Sequence, residues 1–533
     1  MVTNFENKDD PEQASILVDG EQVLPPSPKG CCGFFRFDGV KTAIGENYLA
    51  AARGPIVMSN VFLATSFLYL ASKDAGCLTD NDRIDRECET RVYGFLPISF
   101  LSNIAVISGL ISAFCMPVIG AIVDHTDHRT MLGIVASVLI CIVQAIQIGT
   151  VLDTYFIMGI LQAIAAFLFQ VVVLVVYSFF PYVARIVGKD SIAKHTVTWT
   201  MTQFFTQAMF IVLVIVVSMA FNTNDVVTAH ISQALCIVCI SPLFYLGWRL
   251  FPKMPKSHEL PEGHSLLTEG FRQNWRTIKN ISTHYRRSLG FYFLGVAFAE
   301  AATNTFTVVA NTFLIDVLGF TGTQVGIFFL ITLLCTLPGS KLGSYVTIKT
   351  NPSISWRLSM VGLAIVANIG VVVLDMIPPE RSYLSYIWGA FVGLFLGWFY
   401  PTENCFFSLI VPKEQETELA GFWVYCSQII GWLPPLIFSI IVENGYHQKW
   451  GLMAVTVFYV PAITILTLQG SWSDIISDNG EDFSSGHMVK NEDFASTKEK
   501  ENDAAGVIPV DTKISSSRKQ EEVDNNSEAS IPA

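Results

Sequence analysis

Two carboxylates stand in this sequence where water should be scarce. Glu300 lies in "FYFLGVAFAEAATNTFTVVANTF" and Glu403 in "GWFYPTENCFFSLIVPK", both poor in other charges. A carboxyl group held in hydrocarbon is costly, and it can bind a proton or an ammonium group. The alternative is a structural acid hydrogen-bonded between helices. Thr303, Asn304, Thr307 and Asn311 follow Glu300 at helical spacing, one polar stripe on an otherwise apolar segment. Such a stripe lines a wet cavity or bonds a neighbouring helix. Asn404 adjoins Glu403, and weaker polar candidates are Ser59, Asn60 and Thr65, then Gln162 and Gln170. Lone amides in apolar helices often serve only to join helices.

A second cluster is "GAIVDHTDHRT", residues 120–130, with Asp124, His125, Asp127, His128 and Arg129. Four potential ligands so crowded on one turn seldom complete a four-coordinate metal shell, so no metal or other cofactor is expected. Eleven cysteines follow no zinc or redox spacing. There is no G-x-x-x-x-G-K-[ST], H-E-x-x-H or G-x-S-x-G pattern, and no catalytic residues are expected.

The elements that must position these groups follow from hydropathy. Only 15% of the 533 residues are charged and 51% are hydrophobic. A membrane-crossing helix needs roughly 20 apolar residues. Twelve such spans are predicted, near 54–72, 92–123, 131–152, 155–181, 199–221, 229–248, 289–315, 323–346, 357–377, 382–411, 421–442 and 450–470. The polar stretch 249–288 separates six from six. Five regions result: a tail, 1–53; a six-helix bundle, 54–248; a linker, 249–288; a second bundle, 289–470; and an acidic tail, 471–533. The last, rich in Ser and Asn, reads as disordered. No secretory signal is visible at the N-terminus.

Lys and Arg set the orientation. With the N-terminus in the cytosol, 27 of the 33 basic residues fall inside and 6 outside. Both termini and the linker are therefore expected in the cytosol. Cys77 and Cys88 would then share the first outside loop, where a disulfide is permitted, though two free thiols fit equally. Two cytosolic stretches, "EQASIL" (Glu12, Ile16, Leu17) and "EGHSLL" (Glu262, Leu266, Leu267), match acidic dileucine sorting signals. Cys31 and Cys32 are candidate palmitoylation sites.

Six plus six helices about a cytosolic linker resemble the major facilitator superfamily. Its loop motif after the second helix is matched by Gly120, Asp124 and Arg129, while His125, Asp127 and His128 replace a basic residue, a Gly and an Arg. The resemblance implies that Asp124 latches neighbouring helices, and the two histidines could make that latch pH-sensitive. A narrower resemblance, over 397–443, is to the vacuole effluxer-like (autophagy-related amino-acid effluxer) family: Glu403, Pro412, Glu416, Glu418, Gly421, Trp432, Leu433 and Pro435 fit its pattern. Leu419-Ala420 replaces the usual Phe-Phe, and "GPIVMSN" stands in place of the usual motif of the first helix.

These resemblances imply an all-α membrane protein of twelve transmembrane helices that transports by alternating access. They also imply that helices one, four, seven and ten line a central cavity holding Glu300 and Glu403. Amino acids or similar small solutes are the implied cargo, moved from a vacuole or lysosome-like compartment to the cytosol, with protons as the coupling ion. Its partners would be that small-molecule substrate and the lipid bilayer, not nucleic acid, and it would work as a monomer. The alternatives are a transporter-like receptor or scaffold, or a carrier of another metabolite at the plasma membrane.

Overall fold

A computed structural model describes residues 16–18, 21–23, 41–79, 84, 88–180, 182–183, 189–254, 256, 259–260, 265–376, 379–412 and 416–475. Glu12, Glu262, Cys31, Cys32 and the acidic tail beyond 475 lie outside the described residues. Apart from two three-residue strands, β1 (Ile16–Val18) and β2 (Glu21–Val23), and two isolated bridges, the described secondary structure is helical.

The first six membrane helices are α1 (Lys41–Asp74), α2 (Phe100–His125), α3 (Arg129–Gln147), α4 (Tyr155–Tyr177), α5 (Lys189–Phe221) and α6 (Asp225–Trp248). The linker contains its own helix, α7 (Leu266–His284). The second half comprises α8 (Phe291–Asp316), α9 (Gly322–Lys349), α10 (Pro352–Met376) and α11 (Ser385–Ile410), then a broken pair α12 (Glu416–Ile429) and α13 (Leu433–Glu443), and another, α14 (Gln448–Thr456) and α15 (Tyr459–Leu468). Twelve spans among the described residues are long and apolar enough to cross a membrane. The eleventh breaks just before Pro434-Pro435, whose missing N–H groups suit the start of a new helix. Pro401 leaves α11 unbroken.

The first span departs from expectation. It begins at Lys41 rather than 54, and its 34 residues make a rod of about 51 Å, longer than a bilayer's ~30 Å apolar core. Small residues seat it. A Cβ on Gly54 would lie 2.2 Å from Thr206 Oγ1 of α5, and one on Gly45 3.0 Å from the Gly247 carbonyl oxygen and 2.9 Å from the Phe251 ring, just past α6. In the second half, Gly389, Gly393 and Gly397 press α11 against α9: a Cβ on Gly393 would stand 2.0 Å from the Thr332 carbonyl oxygen. Ser340 Oγ also donates to the Gly397 carbonyl at 2.9 Å, a polar bond at the same close crossing.

On the face opposite the linker, the halves are joined by polar contacts. Asp225 Oδ1 accepts from the Gly322 amide at 2.8 Å, and Ser439 Oγ donates to Asn103 Oδ1 at 2.8 Å. Glu443 pairs with Arg91 at 2.9 Å, accepts from the Leu96 amide at 2.8 Å and accepts from Ser99 Oγ. Cys77 and Cys88 are disulfide-bonded in the same region, with Cα atoms 5.5 Å apart. Glu443→Ala should strand the Leu96 amide, a loss of about 1–3 kcal/mol locally. Amide hydrogen exchange across residues 91–103 is expected to quicken; an unchanged rate would show that this contact does not hold the face shut.

Candidate substrate site

Glu300 and Glu403 meet at the centre of the second half. Both are buried, at 6% and 1% exposure, and their carboxyl groups are close enough to interact with each other. Alanines around Glu300 (Ala297, Ala299, Ala301, Ala302) let α8 sit deep among its neighbours, so the acid is carried inward. Asn304 Nδ2 donates to Glu300 Oε2 at 3.1 Å, as their one-turn spacing allows. Tyr292 Oη donates to the Glu403 backbone carbonyl at 3.2 Å, and Thr303 Oγ1 shares a 3.0 Å bond with Tyr459 Oη. Glu403 Oε1 has no hydrogen-bond partner among the described residues. Asn304 and Thr307 are exposed on a helix that is otherwise mostly buried, whereas Thr303 and Asn311 of the same stripe are buried.

A cation answers these acids from the other half. Arg53, on α1, stacks over Trp199 at 4.7 Å and Phe169 at 5.4 Å. Its guanidinium lies near Tyr177, and its Nε and Nη1 are buried without a partner among the described residues. Tyr177 of α4 and Tyr400 of α11 each lie near enough to Arg53 and to the two glutamates to interact with both. Tyr177 also packs its ring against Trp199 (5.5 Å) and Trp423 (5.2 Å), which walls the space with aromatic faces from both halves. The arrangement offers a fork of N–H donors, a carboxyl pair and flat apolar sides: the chemistry to hold a small molecule carrying both charges.

The other sequence candidates divide. Asn60 follows Arg53 by seven residues, hence on the same face of α1, and its Oδ1 is buried without a partner among the described residues. Gln170 precedes Tyr177 by seven on α4 and is half-buried. Asn404 is half-buried beside Glu403. Gln162 stands apart, accepting from Gln147 Nε2 at 2.9 Å to join α4 to α3. Ser59 and Thr65 bond carbonyls of their own helix.

Sequence reasoning missed Arg53 by counting it with the cytosolic tail, together with Tyr177, Trp199, Tyr400 and Trp423. It also missed Glu46, which faces His195 of α5 across 2.6 Å, both side chains almost fully buried. The available signal was weak: charges one helical turn or two apart in "AIGENYLAAARGP", uninterrupted by Pro or a turn until Gly54.

Around the motif loop, Asp124 Oδ2 accepts from Gln273 Nε2 of α7 at 2.9 Å. Arg129 donates to the Val123 carbonyl at 3.2 Å and the Ser178 carbonyl at 3.3 Å, tying the starts of α3 and the end of α4 together. Gly120 and Asp124 line a small pocket with Gln273, Thr277 and Glu418, and Thr277 Oγ1 donates to Glu418 Oε1. The linker helix thus touches α2 of one half and α12 of the other. Asp127 accepts from the Lys256 amide at 2.7 Å, while His128 opens α3. Of the sorting stretches, Ile16 and Leu17 fall in β1 and Leu266 and Leu267 begin α7.

Two sets of six membrane-length helices, carrying Arg53 in one and Glu300 with Glu403 in the other, define a membrane transporter of the major facilitator type. The same fold appears in a variant of the nucleoside transporter NupG, at 13% identity and TM-score 0.53 over 81% of this chain and 100% of that one. It appears too in the xylose transporter XylE of E. coli, partially occluded and inward open (13%, 0.53, 79% and 97%), and in an inward-facing bacterial homologue of ferroportin (11%, 0.51, 80% and 98%). At such identities the likeness bears on the fold alone. No curated protein matches the sequence. The chain belongs to the family described as Vacuole effluxer Atg22 like, whose model matches residues 47–469.

Proposed function

We propose that this protein carries amino acids, as zwitterions, from a vacuole or lysosome-like compartment to the cytosol by alternating access, coupled to protons. The observation that carries the reading is the placement of Arg53 in one half and of the buried Glu300 with Glu403 in the other, with Tyr177 and Tyr400 close enough to interact with both. An α-carboxylate suits the unpartnered Nε or Nη1 of Arg53 as the acceptor of a charge-assisted hydrogen bond. An α-ammonium, or a proton, suits the carboxyl pair. One ligand bridging both halves favours their closure around it, which is the step an alternating-access carrier needs. The family description supports the compartment, and the basic-residue distribution supports a cytosolic linker face.

The test is flux in proteoliposomes containing the full chain, with labelled amino acids and an imposed pH gradient. Wild-type protein is expected to move at least one amino acid faster with the gradient than without. Glu403→Gln and Glu300→Gln should each remove that dependence on pH. Flux that stayed pH-dependent in both variants would overturn the coupling role, and no flux of any amino acid would overturn the substrate class. A fluorescent fusion seen only at the plasma membrane would overturn the compartment.

A further inference from the structure

The linker helix presents three faces. Glu269, Gly270, Gln273, Asn274, Thr277 and Ile281 turn toward the protein, and Gly270 packs so tightly that a Cβ there would lie 2.2 Å from the Pro117 carbonyl oxygen. A second face is apolar yet uncovered: Leu267 is 64% exposed, Phe271 46%, Trp275 68% and Ile278 40%. Their spacing of four, four and three residues makes one continuous stripe. Beside it lie two exposed cations seven residues apart, Arg272 and Lys279, and Arg286 is exposed just past the end of α7.

Depth decides what such a surface meets. Pro117 lies eight residues before the linker-face end of α2 at His125, about 12 Å along the helix. One turn further in, Phe114 is 66% exposed, as a lipid-facing side chain of a membrane helix would be. The linker helix therefore runs alongside the end of a membrane span, not out beyond it. An apolar stripe with cations along its edge at that level fits the boundary between acyl chains and headgroups.

We propose that α7 is an interfacial helix that docks on anionic phospholipids of the leaflet at the linker face. Leu267, Phe271, Trp275 and Ile278 enter the acyl region, while Arg272, Lys279 and Arg286 meet the headgroups. Arg272, Lys279 and Arg286 together contribute an attraction to acidic lipid that a neutral leaflet does not return. Because Gln273 holds Asp124 and Thr277 holds Glu418, lipid docking also steadies the contacts between the halves on this face.

The test uses full-length wild type and Trp275→Phe in vesicles of phosphatidylcholine, alone or with phosphatidylserine. The difference between their emission spectra isolates Trp275. That emission should be lost when the acyl chains are brominated and should resist aqueous iodide, more so with phosphatidylserine present. Hydrogen exchange across 266–284 should slow in the acidic vesicles, and Arg272→Gln/Lys279→Gln/Arg286→Gln should abolish the difference between the two lipids. Emission quenched by iodide but not by brominated lipid would overturn the proposal and leave the stripe to a protein partner. Equal behaviour in both vesicle types would overturn its selectivity for acidic lipid.

Discussion

Arg53→Gln is expected to cut amino-acid flux by about tenfold or more, since hydrogen bonds to a charged group contribute about 1.5–3 kcal/mol. Gln keeps one amide NH2 donor but is two atoms shorter and loses the charge and the fork. Arg53→Lys keeps the charge alone, so it should fall between the two, with weaker substrate binding at unchanged orientation of the glutamates. Binding measured by thermal shift with a panel of amino acids separates this from misfolding: the variant should retain the wild-type Tm without ligand and lose the ligand-induced rise. If both variants bound amino acids as wild type does, the guanidinium would have no part in recognition. In that event the stacking on Trp199 and Phe169 would be its whole role.

The largest effect on stability is expected from Gly393→Ala. Overpacked side chains commonly cost about 1–3 kcal/mol, because neighbours must shift. Here the obstacle 2.0 Å away is the Thr332 carbonyl oxygen, which is backbone and cannot rotate aside. The crossing of α9 and α11 would have to widen, breaking the Ser340 bond to Gly397 as well. Since α11 also carries Tyr400 and Glu403, the same change should shift the site. A lowered Tm in detergent is the reading that checks it. Gly120→Ala is the control, because a Cβ there meets nothing within 4 Å and should leave Tm unreduced. Equal Tm values for the two variants would refute the packing argument.

The membrane helices were legible because hydrocarbon demands long apolar runs, and little else produces them. The Glu300–Glu403 pair was legible as two separate acids, each conspicuous in an apolar run; that they touch is a fact of packing across a separation of 103 residues. Arg53 was not legible for the opposite reason. It lies near Glu46 and Lys41, so it resembled the polar tail, and only a partner far along the chain makes a charge there tolerable. Tyr177 is such a partner for Arg53, as His195 is for Glu46, and hydropathy cannot see them. Gln162 and Gln170 differ only in which way α4 turns them. The linker helix was readable in principle: its apolar residues recur at helical spacing, but the many charges between them made the segment look like a loop.

The length of α1 has a mechanical consequence. Arg53 sits 12 residues, about 18 Å, from the helix's first residue, and Gly45 lies between them, clasped by Gly247 and Phe251 where α6 gives way to the linker. A rod gripped near one end amplifies rotation at its middle. Arg53 stands eight residues, about 12 Å, from that grip, so a bound carboxylate that drew it aside by about 2 Å would tilt α1 by about ten degrees there. That motion would arrive at the start of the linker with no relay of side chains between. The chamber and the segment that joins the two halves are thus geared together by a single stiff helix.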